Sequence, residues 1–337
     1  MAKTFEQILS DIRKRHFEPL YFLMGEEPYF IDLISDTLEE NILDEADKAF
    51  NQIVVYGRDV DVKTIVDHAR SFPMMGEHMV VIVKEAQDVK DIEELAPYLE
   101  TFPPSTILVV NYKYKKLDKR RSLSKTVDKL GVLFESKKVY ENKIPEWIQN
   151  YLQNCDSPHG ITPKAVQMLT DFLGTDLHKV RNELDKLVIA VPKSKKIDDV
   201  DVERNIGISK DYNVFELQNA VGSGDVLKAN RIVNYFAENK DNPLFLTAIS
   251  LFGYFSKLLK LHYATDKSPG NLASILSINP FFVKDYLEAA RNYSIADCVR
   301  CIAVLREFDM KGKGYKSGEA SEKELYKEMI FRIMHRV

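Results

Sequence analysis

The sequence predicts an α/β N-terminal domain built on a parallel sheet, followed by two all-helical domains. Three observations carry this reading. Five short runs rich in Val, Ile and Leu are spread over the first 140 residues, segments with helical spacing lie between them, and after Tyr140 the runs stop. Strands covered by helices on both faces read as near-continuous apolar stretches. Short oily runs separated by helices therefore imply parallel pairing with crossover connections.

The strands are expected at 19–24 (PLYFLM), 51–56 (NQIVVY), 78–83 (HMVVIV), 105–110 (STILVV) and 131–136 (GVLFES). After the first, Phe30, Leu33, Ile34 and Leu38 form one apolar helical face. Before the last, Leu123, Val127 and Leu130 do the same, with Asp118 expected as the helix cap. Residues 1–140 thus read as one α/β domain. Residues 141–210 read as a small helical domain, with helices near 143–154, 162–173 and 176–190. In the last of these, Leu177, Val180, Leu184 and Leu187 make a stripe. Residues 211–337 are expected to be helical throughout. Pro243 and Pro280 open helices there, and Ser321 three residues before Glu324 is a capping-box pattern. The most apolar stretch, 244–261, contains Lys257 and Lys260 and reads as a buried bundle helix rather than a membrane span.

With 337 residues, 45% hydrophobic and 29% charged, the chain has the balance of a globular protein and the length for more than one core. A net charge of −4 excludes a surface that is basic all over, while leaving room for a local basic patch. Cys155, Cys298 and Cys301 cannot make a disulfide framework and fit a reducing compartment. The charged, amphipathic opening lacks the apolar core of a signal peptide. A soluble, cytoplasmic protein is expected.

A parallel sheet whose first strand ends in glycine invites the test for a phosphate loop. Such a loop needs glycines so that backbone N–H groups can approach phosphate, then Lys and Ser/Thr for charge and Mg²⁺. Here the turn reads Gly25-Glu26-Glu27-Pro28, and Phe30, Ile31 and Asp32 stand where Gly-Lys-Ser/Thr would be. Two glutamates at a helix start satisfy the helix dipole themselves and repel phosphate. Lys84 stands where a metal-binding acid would follow the third strand. Cys298 and Cys301 fall inside a helical pattern, where a buried pair is the simpler reading than a metal or redox site. No catalytic residue, metal ligand or cofactor is expected.

A parallel-sheet domain, a lid-like helical domain and a helical C-terminal domain, in that order, resemble the AAA+-like clamp-loader subunits. Among these the chain is similar to the delta subunit of the bacterial DNA polymerase III clamp loader, the member with a lost phosphate loop. The pieces that carry the resemblance are PLYFLMGEEPYFIDLI, ILVVNYKYKKLDKRRSLSK, DLHKVRNELDKLVIAV and YNVFELQNAV. The resemblance implies an accessory subunit of a DNA-directed DNA polymerase, a nucleotidyltransferase holoenzyme, with no catalysis of its own. It would bind and open the sliding clamp ring for loading on primed DNA during replication. Its implied partners are the clamp, the clamp-loader ATPase subunits and delta-prime in a hetero-pentamer, with 211–337 as the collar domain for oligomerisation and primed DNA reached through the complex.

In that family the first domain presents a short hydrophobic element between a helix and the third strand, usually ending Leu-Phe. The corresponding stretch here is SFPMMGEH, so Phe72, Met74 and Met75 become the clamp-binding candidates, with Met-Met in place of Leu-Phe. The other reading is that these side chains close the core under the sheet. The run Lys113, Lys115, Lys116, Lys119, Arg120, Arg121 and Lys125 either contacts DNA phosphates or an acidic neighbouring subunit, or is a solvated helix face. Rival identities are a delta-prime-like or other ATPase-silent AAA+ scaffold, and an atypical nucleotide-binding ATPase.

Overall fold

The computed structural model describes residues 3–74, 76–155, 157–239, 242–315 and 320–337. It divides into two compact units, 1–139 and 140–337.

The first unit is built on five strands, β1 (Leu20–Gly25), β2 (Gln52–Tyr56), β3 (Met79–Lys84), β4 (Thr106–Lys113) and β5 (Val132–Ser136). Each starts one residue after its expected position, and β4 continues past 110 to Lys113. All pair in parallel in the order β2-β3-β4-β1-β5, so β4 is inserted between β1 and β3. The helix α1 (Phe5–Arg13) precedes the first strand, and the connections carry α2 (Pro28–Asn41), α3 (Glu45–Asn51), α4 (Val62–Ala69) and α5 (Ser122–Leu130). The pleat sends alternate residues to opposite faces. Tyr21, Leu23, Val80 and Ile82 meet Ile8, Ile12, Ile31 and Ile34 of α1 and α2 on one side. Leu20, Phe22, Val81 and Val83 meet Val62, Ile65, Leu123 and Val127 of α4 and α5 on the other. Two dry layers enclose the sheet, which is why its strands are oily on both faces.

Asp118 does not cap α5. The helix begins at Ser122 after Arg121, which makes no side-chain cap bond. The Asp118 carboxylate instead accepts from the backbone N–H of Arg120 at 3.0 Å and from its guanidinium at 2.8 Å. A cap must directly precede the first helical turn, and a turn intervenes here.

The second unit is helical. It contains α6 (Ile144–Asn154), α7 (Pro163–Leu173), α8 (Leu177–Ala190), α9 (Asp199–Ile206), α10 (Val214–Ser223) and α11 (Val226–Glu238). There follow α12 (Leu244–Tyr263), α13 (Pro269–Leu276), α14 (Val283–Asn292), α15 (Ile295–Gly312) and α16 (Glu322–His335). The helices foreseen at 143–154, 162–173 and 176–190 are α6, α7 and α8. Pro280 opens a single 3₁₀ turn leading into α14 rather than the helix itself. The Ser321–Glu324 capping box forms at the start of α16. Cys298 and Cys301 are buried in the bundle core among Tyr293, Leu305 and Ile333.

The apolar helix α12 packs Leu251, Phe255 and Leu258 into that core. It is not buried all round: Leu246, Ile249 and Phe252 are about half exposed. A helix with nearly uniform apolar composition has little sequence contrast to show which stripe is covered.

Candidate functional site

Gly25 ends β1 with φ at 132°, and a Cβ there would stand 2.1 Å from the Ser136 carbonyl oxygen. Only glycine fits this turn. The three backbone N–H groups that a phosphate would need are already used. Gly25 N–H donates to the Lys115 carbonyl at 3.1 Å, and Glu26 N–H donates to the Ser136 carbonyl at 3.2 Å. Glu27 N–H donates to Ser136 Oγ, also at 3.2 Å. The Glu27 carboxylate accepts from Tyr29 N–H and caps α2, whose first residue is Pro28.

The side chains around the turn are likewise matched to one another. Glu26 pairs with Lys116 at 3.1 Å, and Lys116 and Lys119 share Glu135 at the same distance. Lys113 lies between Asp32 and Glu85, at 2.7 Å from each carboxylate. Burial pulls the Lys113 pKa down, but the hydrogen bonds it donates to Asp32 and Glu85 outweigh it and hold the ammonium above its ordinary range. The lysine bonds to Glu135, Lys116 foremost, hold that carboxyl below its usual value. Lys84, at the end of β3, lies 2.9 Å from Glu39 and 3.7 Å from Asp36, both on α2.

The backbone after β4 closes the turn from above. Tyr114, at a φ of 60°, donates its N–H to the Gly25 carbonyl at 2.7 Å. Leu117 N–H points to the Met24 sulfur at 3.2 Å. Segment 113–117 thus covers the end of β1, and the turn after that strand is lined by the chain's own carbonyls, carboxylates and lysines.

This divides the basic run. Lys113, Lys116 and Lys119 are committed to acids around the turn. Lys115 donates to the Gln87 carbonyl at 2.9 Å, Arg120 pairs with Asp118, and Arg121 stands 4.0 Å from Glu93. Lys125 is exposed and makes no ion pair among the described residues.

At the other candidate element, the segment between α4 and β3 presents Phe72 and Met74 to solvent, 75% and 65% exposed. They do not close the core. Met75 lies outside the described residues. The base of this segment is fixed on one side by Thr106 Oγ1, which donates to the Ala69 carbonyl at 2.9 Å. On the other, Met79 N–H donates to the Ser105 carbonyl at 2.9 Å. Asn51, the last residue of α3 and fully buried, holds the crest. Its Oδ1 accepts from Met74 N–H at 2.6 Å, and its Nδ2 donates to the Met74 carbonyl at 3.1 Å. Sequence reading missed Asn51, Ser136 and Gln87. The one signal available was an amide heading an otherwise oily strand run at 51–56.

No group of three or more His, Cys, Asp or Glu able to hold a metal occurs among the described residues.

What the geometry defines is a five-stranded parallel α/β domain whose turn after the first strand is filled by the chain's own side chains and carbonyls, in a chain that is otherwise helical. Two family models match it: "DNA polymerase III, delta subunit" over residues 21–137, and "DNA polymerase III delta subunit, C-terminal domain" over 211–333. Between them they take in more than two thirds of the chain. The chain belongs to the DNA polymerase III delta-subunit family. It is 24% identical to the DNA polymerase III subunit delta of Bacillus subtilis (strain 168), over 98% of this chain and 96% of that one. The solved structure of the Bacillus subtilis DNA clamp loader delta protein shares the fold, with a TM-score of 0.58 at 22% identity, covering 99% of this chain and 100% of that one.

Proposed function

We propose that this chain binds the sliding clamp through the tip at Phe72, Met74 and Met75, and opens the ring for loading on primed DNA without hydrolysing ATP itself. The observation that carries the reading is the pair of large apolar side chains held in solvent on a short tethered loop of the sheet domain. Water-exposed Phe and Met side chains of this kind gain by entering a partner's pocket, roughly 1.5–3 kcal/mol each before ordering costs. Methionine adapts to an irregular pocket, so Met-Met can serve where relatives carry Leu-Phe. A binder opens a ring only if it holds the distorted form more tightly than the closed one, which a wedge beside a ring interface would do.

The filled turn at Gly25–Pro28 supports the second half of the proposal. Phosphate there would have to displace Lys115 and Ser136 from the backbone donors and sit beside Glu26 and Glu27. ATP would be spent by the related motor subunits, with delta-prime completing a hetero-pentamer. Residues 141–210 would form the lid-like domain and 211–337 the collar that joins those subunits, in a soluble, cytoplasmic complex. Lys115, Arg120, Arg121 and Lys125 lie outside the ion pairs around the turn, which leaves them the better candidates for DNA or a neighbouring subunit.

The test is calorimetric titration of the chain with its own sliding clamp, without nucleotide. The double replacement Met74→Ala with Met75→Ala should weaken binding at least tenfold at unchanged circular dichroism. Equal affinity removes the tip from the account, and tight magnesium-dependent ATP binding to the isolated chain removes the claim of a silent site.

A further inference from the structure

We infer that Asn51 is a positioning residue for clamp binding: its carboxamide holds Met74 in the conformation that presents the tip. The inference rests on the tip reading above and adds to it a residue outside the apolar element.

Residues 71–78 belong to neither a helix nor a strand among the described residues. The segment is anchored at its ends by Ser71 N–H to the His68 carbonyl at 3.1 Å and by Met79 N–H to the Ser105 carbonyl at 2.9 Å. In between, the Asn51 amide satisfies both the N–H and the C=O of Met74. An amide side chain is suited to this, because it offers one donor edge and one acceptor edge on the same plane. Aspartate offers no donor when ionised, and leucine offers neither.

Asn51 is itself well fixed. It closes α3 and is followed directly by β2, which is paired with β3 from Gln52↔Val80 onward. The amide is therefore held at the edge of the sheet, and the tip is held by the amide. Gly76 lies against the same group: a Cβ there would stand 2.9 Å from Asn51 Nδ2. Its absence leaves the amide room to reach Met74.

Two exposed apolar side chains on an untethered loop would spend time folded onto the surface. A partner would then meet a competent tip only in the fraction of molecules that present it, and affinity falls by that fraction. Tethering the backbone of Met74 removes that loss without touching the partner.

The test is a double-mutant cycle on clamp affinity in the full chain, by the same titration. Asn51→Leu removes both bonds, while Asn51→Asp keeps the acceptor for Met74 N–H. Gly76→Ala pushes on the amide from outside and leaves the buried Asn in place, so it carries the test if the Leu variant does not fold. Expected are losses of roughly three- to tenfold for Asn51→Leu and Gly76→Ala, a smaller loss for Asn51→Asp, and little further loss when either is combined with Met74→Ala. Amide exchange across 71–77 should speed up about tenfold in Asn51→Leu with the rest of the sheet protected. If Met74→Ala alone costs nothing, the apolar-tip reading fails and this role falls with it. If Met74→Ala costs affinity but Asn51→Leu and Gly76→Ala cost none, or cost as much in the Met74→Ala background as without it, the tip stands and Asn51 is not its positioner.

Discussion

Lys113 shows how a single residue ties together the elements around the β1–α2 turn. Its side chain is largely covered and touches Asp32 and Glu85, so its removal strands two carboxylates. Lys113→Met should destabilise the chain by about 1–2 kcal/mol at neutral pH, read from urea midpoints. Burial raises the Glu85 pKa, but bonds from Lys113 and Gln87 carry it below the ordinary 4.5. A carboxyl lowered in this way adds stability above its unfolded pKa and loses it as pH falls, so the gap between variant and wild type should narrow in acid. Asp171 on α7 has the opposite sign. It lines a cleft of about 1090 Å³ shared with Lys257 of α12, and its Oδ2 is shut off from solvent without a hydrogen-bond partner among the described residues. Desolvation pushes its pKa up to about 7, against the Gln167 bond and the Lys257 charge. Stability is then fully present below the ordinary 3.8 and lost as pH rises through 7. Asp171→Asn should match wild type near pH 4 and exceed it at pH 8 by on the order of 2 kcal/mol, seen in paired thermal melts.

At the scale of an element, the β1–α2 turn holds only because its parts agree. Gly25 supplies a backbone angle and a close approach that no side chain tolerates, and Ser136 of β5 supplies two acceptors. Gly25→Ala would drive a Cβ into the Ser136 carbonyl at 2.1 Å and should cost more than about 2 kcal/mol, or abolish soluble expression. The last helix rests on a smaller device. Ser321 and Glu324 bond each other's backbone N–H groups at 3.3 and 2.8 Å. Ser321→Ala should lower stability by about 1 kcal/mol in chemical denaturation, and no change would mean that burial of Leu325, Met329 and Ile333 alone holds α16. Elements of both kinds were readable in the sequence to different depths. Ser321-Glu324 are three residues apart, so local reading found the box. The Asp118 cap failed because the start of α5 was set by the turn around Arg120 and Arg121, which local pattern did not show.

For the whole molecule, the boundary at Val139–Tyr140 separates a sheet with its own two apolar layers from a helical bundle with its own core. A unit with a complete core can fold alone. Residues 1–139 expressed by themselves should unfold cooperatively in urea and keep the clamp affinity of the full chain. A fragment that binds far more weakly, with its fold intact, would place part of the clamp contact in 140–337.

The strand and helix sequence was legible because period and composition act locally: doubly covered strands must be oily, and amphipathic helices must repeat every three or four residues. That the turn at 25–32 has one glycine and no Gly-Lys-Ser/Thr was legible too, since it is a matter of residue types. Tertiary structure alone decided what those residues meet. Glu26 meets Lys116, Asp32 meets Lys113, and Met74 meets Asn51 across 90, 81 and 23 positions, and no short-range pattern encodes such meetings. Whether Phe72 and Met74 face water or the core was equally open in the sequence, because an apolar side chain looks the same in both places. The tether that a folded sheet provides settled it.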